Sequence, residues 1–141
     1  MSYDPAADGW AKDERDPYCV TAGPIWTKLD GGRWRYGVLV EPKHANKLGI
    51  VHGGLPLLLA DHALGDWLMH DLMKTGGACV TVDVALQFLG PVKVGEFVEC
   101  HHEAMRITNS LAFMHGRLMV GDRMTHNANG VWKIRRGKPA A

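Results

Sequence analysis

"GIVHGGLPLLLADHALGDWL", residues 49–68, decides the fold: two glycines lead straight into a leucine-rich run that carries an aspartate in its midst. From residue 55 to about 74, Leu55, Leu58, Leu59, Ala63, Trp67 and Met73 recur at helical spacing, and extra leucines widen the apolar stripe beyond one face. Such a helix is enclosed on most of its circumference. Pro56 suits its first position, where a missing N–H loses no partner, and Gly76-Gly77 ends it.

Upstream, residues 18–29 and 33–41 flank Asp30-Gly31-Gly32, which predicts a hairpin. Residues 42–54 lack a sustained period and read as a long loop. Downstream, residues 78–88, 97–107, 111–120 and 123–134 alternate as strands between turns rich in Gly, Pro, Asn and Ser. In the first of these, Val80, Val82, Val84, Leu86 and Phe88 are expected on one face, with Thr81, Asp83 and Gln87 on the other. The pattern predicts an α+β fold, an antiparallel sheet of about six strands wrapped around one long central helix. Residues 1–17 read as a polar, poorly ordered extension, and 18–141 as a single domain.

Net charge is +1 over 141 residues with scattered basic side chains, which excludes the electrostatic footprint of a nucleic-acid binder. The longest apolar run stops at Asp61, far short of the roughly 20 residues that span a bilayer. Cys19, Cys79 and Cys100 form no C-x-x-C pair and read as small core residues, and the start lacks the features of a secretory signal. These features predict a cytoplasmic protein with a small-molecule partner. "HHE" at 101–103 points neighbouring side chains to opposite faces of a strand, so no metal site is expected. The basic residues Lys133, Arg135, Arg136 and Lys138 either meet phosphates or are simply solvated. Trp10, Trp26, Trp34, Trp67 and Trp132 are expected in the core or an interface, with Trp67 on the central helix the candidate among them for lining a substrate site.

The amides of Gly53 and Gly54 lie at the helix N-terminus, where a ligand oxygen can approach closely and partial positive charge favours an oxyanion. A bare turn into the helix explains the same pair. Asp61 has Leu57, Leu58, Leu64, Gly65 and Leu68 around it, and Gly65 is expected to leave a notch beside it. The carboxylate is either structural, hydrogen-bonded to Thr81 or a loop amide, or a nucleophile or general base beside a small cavity. Gly54 and Asp61 are about 10 Å apart along a helix. One reacting carbonyl cannot sit about 3 Å from both, so a shared role requires the Asp of a second subunit.

The residues "NKLGIVHGGLPLLLADHALG" (46–65) and "CVTVDVALQFLGPVKVGE" (79–96), in this element order, resemble the acyl-CoA thioesterases of the hotdog superfamily, in particular the PaaI-like branch. The resemblance implies that the Gly53 amide polarises a thioester carbonyl while Asp61 of the opposite subunit attacks it or activates water. Asn46 would touch the carbonyl or the water, Thr81 would sit near the water if its face of the strand meets the helix, and His52 would mainly brace the loop. The departing thiolate, with a conjugate-acid pKa near the 8.5 or so of a thiol, needs no strong general acid. No cofactor is expected, since coenzyme A belongs to the substrate, and a homo-oligomer is, a dimer or a tetramer. A hotdog hydratase or dehydratase that relies on His52, and a non-catalytic acyl-CoA-binding module, are the alternatives.

Overall fold

A computed structural model describes residues 2–138. In chain order the elements are β1 (Ala11–Lys12), α1 (Pro17–Ala22), β2 (Ile25–Asp30), β3 (Arg33–Leu39), α2 (Gly54–Met73), β4 (Ala78–Phe88), β5 (Phe97–Ile107), β6 (Leu111–Val120) and β7 (Arg123–Arg135), with 3-10 turns at Ala6–Asp8 and Pro42–His44. The strands form one antiparallel sheet in the order β1-β2-β3-β5-β6-β7-β4. This is the expected hotdog arrangement, with the two-residue β1 added to the six long strands.

The helix occupies the inner face of the sheet. Leu59, Ala60, Ala63 and Leu64 are buried in one cluster with Tyr36, Val38, Cys100, Met114, Leu118 and Trp132. The small residues of α2 let the helix approach closely: a Cβ on Gly65 would lie 2.9 Å from Trp132 Nε1. The notch expected at Gly65 is therefore filled by an indole of the same chain. Pro56 stands in the first turn rather than at its first position, since α2 starts at Gly54. No described helix is long and apolar enough to cross a membrane.

Three further departures have clear local causes. The hairpin forms, its turn carried by Gly31 and Gly32 at φ 56° and 77°, but its first strand begins only at Ile25. Residues 17–22 are helical because Asp16 caps the Tyr18 amide and Pro17 stands at the first position. The N-terminal segment does not trail away: β1 extends the sheet along β2, Trp10 packs edge-on against Phe97 at 4.9 Å, and Asp13 is buried. Finally, β4 does not keep its valines on one face. A bulge between Thr81 and Asp83 shifts the register against β7, so Val80 and Val82 are 63% and 60% exposed while Val84 and Leu86 pack on the core.

Candidate active site

The bulge decides what meets Asp61. Thr81 is paired with the inward-facing Trp132, which turns the threonine toward α2. Its hydroxyl donates to Asp61 Oδ1 at 2.6 Å. Half-buried Asp61 thus lies on the flank of α2 that borders β4, the edge strand of the sheet.

The second half of the site is the entry to α2. The Gly54 amide, one of the two expected anion donors, is taken by His52 Nδ1 at 3.0 Å, which fits a bracing histidine. The Leu55 amide bonds the His52 carbonyl at 3.1 Å, and Pro56 has none to offer. The Gly53 amide is the remaining donor, with no acceptor among the described residues. Phe88 stands beside it: a Cβ on Gly53 would lie 3.1 Å from the Phe88 ring. The preceding loop is pinned by His44, which accepts from the Glu41 amide and reaches the Ala22 and Gly23 carbonyls. Asn46 spends its Oδ1 on the Leu48 amide at 2.8 Å, which leaves its NH₂ as the group free to turn toward a ligand.

The structure therefore brings Asp61 to Thr81 and Gly53 to Phe88, each a helix residue against an edge-strand residue. Gly53 and Asp61 stand eight positions apart, so the two pairs stay about 12 Å apart along the helix axis, given its rise of about 1.5 Å per residue. Trp67 joins neither, since its ring packs on His102 of β5 at 5.4 Å. Among the basic tail residues, Arg136 is spent on the Asn109 and Thr108 carbonyls, while Lys133, Arg135 and Lys138 are exposed. His101 and Glu103 are exposed and His102 is buried, as strand alternation requires.

On the opposite flank of α2 lies a polar network, which no motif in the sequence announces. One tautomer of His62 satisfies both neighbours: Nε2–H donates to Asp13 Oδ2 at 3.2 Å, and Nδ1 accepts from the Cys19 thiol at 3.4 Å. Arg15 holds both Asp13 oxygens and also reaches Asp66, which accepts from the Tyr36 hydroxyl at 2.8 Å. The guanidinium hydrogen-bonded to Asp13 lowers its pKa to about 2. Asp13, His62 and Asp66 place ligand-type atoms within 4.8 Å of one another, but Arg15 already supplies the cation between the two carboxylates. Burial pushes the thiols of Cys19 and Cys100 up to about 12 and that of Cys79 to about 11, so they stay protonated and unreactive near neutrality. The only cue in the sequence was the helical spacing of His62, Asp66 and His70, which shows one face but not the Asp13 that meets it.

The pattern that defines the Thioesterase superfamily matches residues 48–126, which contain both halves of the site. A Pseudomonas aeruginosa protein with a provisional esterase name is 34% identical over 119 residues, covering 84% of this chain and 88% of that protein. Mouse acyl-coenzyme A thioesterase 13 is 35% identical over 74 residues, about half of each chain (52% and 51%). Among solved structures, the BH2602 protein of Bacillus halodurans with CoA superposes with a TM-score of 0.77 at 18% identity, covering 89% of this chain and 83% of that one. Escherichia coli PaaI does so with a TM-score of 0.73 at 17% identity, covering 89% and 88%. At such identities the structures show the hotdog fold alone. The family pattern and the full-length esterase relative show more: the chain belongs to the thioesterase superfamily and is, by class, a thioester hydrolase.

Proposed function

We propose that the protein is a homodimeric acyl-CoA thioesterase that converts an acyl-CoA to free acid and coenzyme A. The observation that carries this reading is the separation of the two half-sites along one helix. The Gly53 amide of one subunit would polarise the thioester carbonyl, and Asp61 of the other would attack it or take a proton from the attacking water. On the water route the water oxygen bonds the carbonyl carbon, Asp61 takes the proton, the carbon–sulfur bond breaks and coenzyme A leaves as a thiolate. On the attack route Asp61 forms the carbon–oxygen bond, coenzyme A leaves as a thiolate, and water then cleaves the mixed anhydride to the free acid and the carboxylate. Thr81 would hold the Asp61 carboxylate in place, and the Asn46 NH₂ would bind the carbonyl or the water.

Two features support the dimer. β4 is an unpaired edge with Val80 and Val82 exposed, a surface that a second copy would cover. An antiparallel neighbour pairing there would also bring each Gly53 toward the other subunit's Asp61. For the substrate, the acyl-CoA thioesterase relative and the CoA-containing hotdog structure point to a coenzyme A thioester. His52 spends Nδ1 on the Gly54 amide, which favours hydrolysis over a hydratase reaction that would use this histidine as its base.

Thiol release from a panel of aromatic and aliphatic acyl-CoAs tests the proposal, with Asp61→Asn as the comparison and sedimentation to establish the oligomer. Native turnover on at least one thioester and a loss of about 100-fold or more in the variant, close to 3 kcal/mol, are expected. No thiol release from any member, or equal release by both proteins, would overturn it.

A further inference from the structure

Gly53 has φ −56°, a value open to any residue, so its missing side chain does not serve backbone freedom. The space belongs to Phe88, whose Cε1 and Cζ would lie 3.1 and 3.3 Å from a Cβ at that position. Phe88 ends β4 opposite His126, and the two rings meet edge-to-face at 5.1 Å and 79°. His126 is itself fixed from the core. Its Nδ1–H donates to Thr125 Oγ1 at 2.9 Å, and the Thr125 hydroxyl donates to the buried Leu118 carbonyl at 3.1 Å. Burial lowers the His126 pKa to about 4, so this support stays neutral at neutral pH. The chain of contacts runs from the sheet interior to a phenyl ring that is nonetheless 59% exposed, and it ends at the one amide of the helix entry without an acceptor among the described residues.

We infer that Phe88 is a positioning residue for thioester hydrolysis: it seals one side of the Gly53 amide from water and fixes the turn that aims this N–H at the thioester carbonyl. The inference rests on the reading of Gly53 as the oxyanion donor. A hydrogen bond to a developing oxyanion is stronger where water is excluded and the donor needs no reorganisation. The ring turns its C–H atoms toward Gly53, the positive rim of the aromatic quadrupole, so it does not oppose negative charge gathering at the amide. Gly53 and Phe88 are built around each other, and neither can change alone without disturbing the donor.

Steady-state thiol release tests this with Phe88→Ala, Phe88→Leu, Gly53→Ala and the Gly53→Ala/Phe88→Ala double variant, with Asp61→Asn alongside and sedimentation confirming the same oligomer. Phe88→Ala is expected to lower kcat about 10-fold to 30-fold while KM moves less than about threefold. Gly53→Ala should lose about 100-fold with Phe88 present and regain about tenfold when Phe88→Ala removes the clash, a non-additivity that ties the ring to the Gly53 amide. The fall in kcat at nearly constant KM is what a merely structural phenylalanine would not produce. Unchanged kcat in Phe88→Ala, or strictly additive losses, would overturn the inference. If Phe88→Ala does not fold, Phe88→Leu decides: a folded leucine variant with native kcat overturns it, and a reduced kcat at native KM supports it. An Asp61→Asn protein with full turnover would overturn the underlying site, whereas an inactive Asp61→Asn beside a fully active Phe88→Ala would overturn the role of Phe88 alone.

Discussion

The Thr81 hydroxyl donates to Asp61 Oδ1 at 2.6 Å, which ties the edge strand to the central helix. A hydrogen bond to a charged group contributes about 1.5–3 kcal/mol, and in the proposed mechanism it orients the carboxylate that acts on the thioester. Thr81→Val is therefore expected to lower kcat about tenfold with little change in KM, while Thr81→Ser keeps most of the activity. Thiol-release kinetics on the best acyl-CoA check both, and a fully active valine variant would remove Thr81 from the site.

Subunit mixing reports directly on shared sites. Asp61→Asn and Gly53→Ala proteins, each inactive alone, should regain activity once unfolded together and refolded. Each mixed dimer holds one site with both groups intact, and random pairing restores about one quarter of all sites. No recovery despite mixed dimers, shown by differently tagged chains, would place Gly53 and Asp61 in separate roles.

Gly65 shows where the helix approaches the sheet most tightly. Gly65→Ala gains helix propensity worth somewhat under 1 kcal/mol but forces a methyl to 2.9 Å from Trp132 Nε1, and buried Trp132 has little room to move. Overpacking of this kind costs about 1–3 kcal/mol. The variant should therefore unfold at lower urea with an unchanged m-value, and a native midpoint would show that the indole gives way freely.

His102 makes the fold sensitive to acid. It is 4% exposed, both its ring nitrogens lack partners among the described residues, and burial followed by the Arg33 charge lowers its pKa to about 4. Below pH 6.5 or so the unfolded chain takes up a proton that the native histidine refuses, so stability is full above that pH and falls as pH drops toward 4. His102→Leu should match or exceed native stability at pH 7, since two unpaired nitrogens vanish. It should also recover about 1–3 kcal/mol at pH 4.5 after allowance for partial solvent screening. Urea titrations at both pH values would show whether the slope survives the substitution.

The central helix, the hairpin turn and the four long strands were legible because each repeats a local period. The separation of Gly54 from Asp61 was legible too, since the two stand a fixed rise apart on one helix. The bulge at Val82 was not, because the valines alternate without a break and the shift exists only relative to β7. For the same reason the contact of Thr81 with Asp61 stayed conditional on which strand face met the helix. Residues 18–22 alternate well enough to read as strand, although Asp16-Pro17 carried a helix-start signal. The Asp13–His62 contact joins residues 49 apart, and Phe88 meets Gly53 across 35 positions. No periodicity spans such distances.

The clamp of Asp13 and Arg15 on His62 and Asp66 gives the central helix two unlike sides. One flank faces the open edge of β4, and the other is closed by Asp13 and Arg15. Shortening the protein past Asp13 would strip His62 Nε2 of its carboxylate partner on the flank away from Asp61 and Thr81. The N-terminal segment thus works as a seal on one side of the central helix, while β4 leaves the other side open.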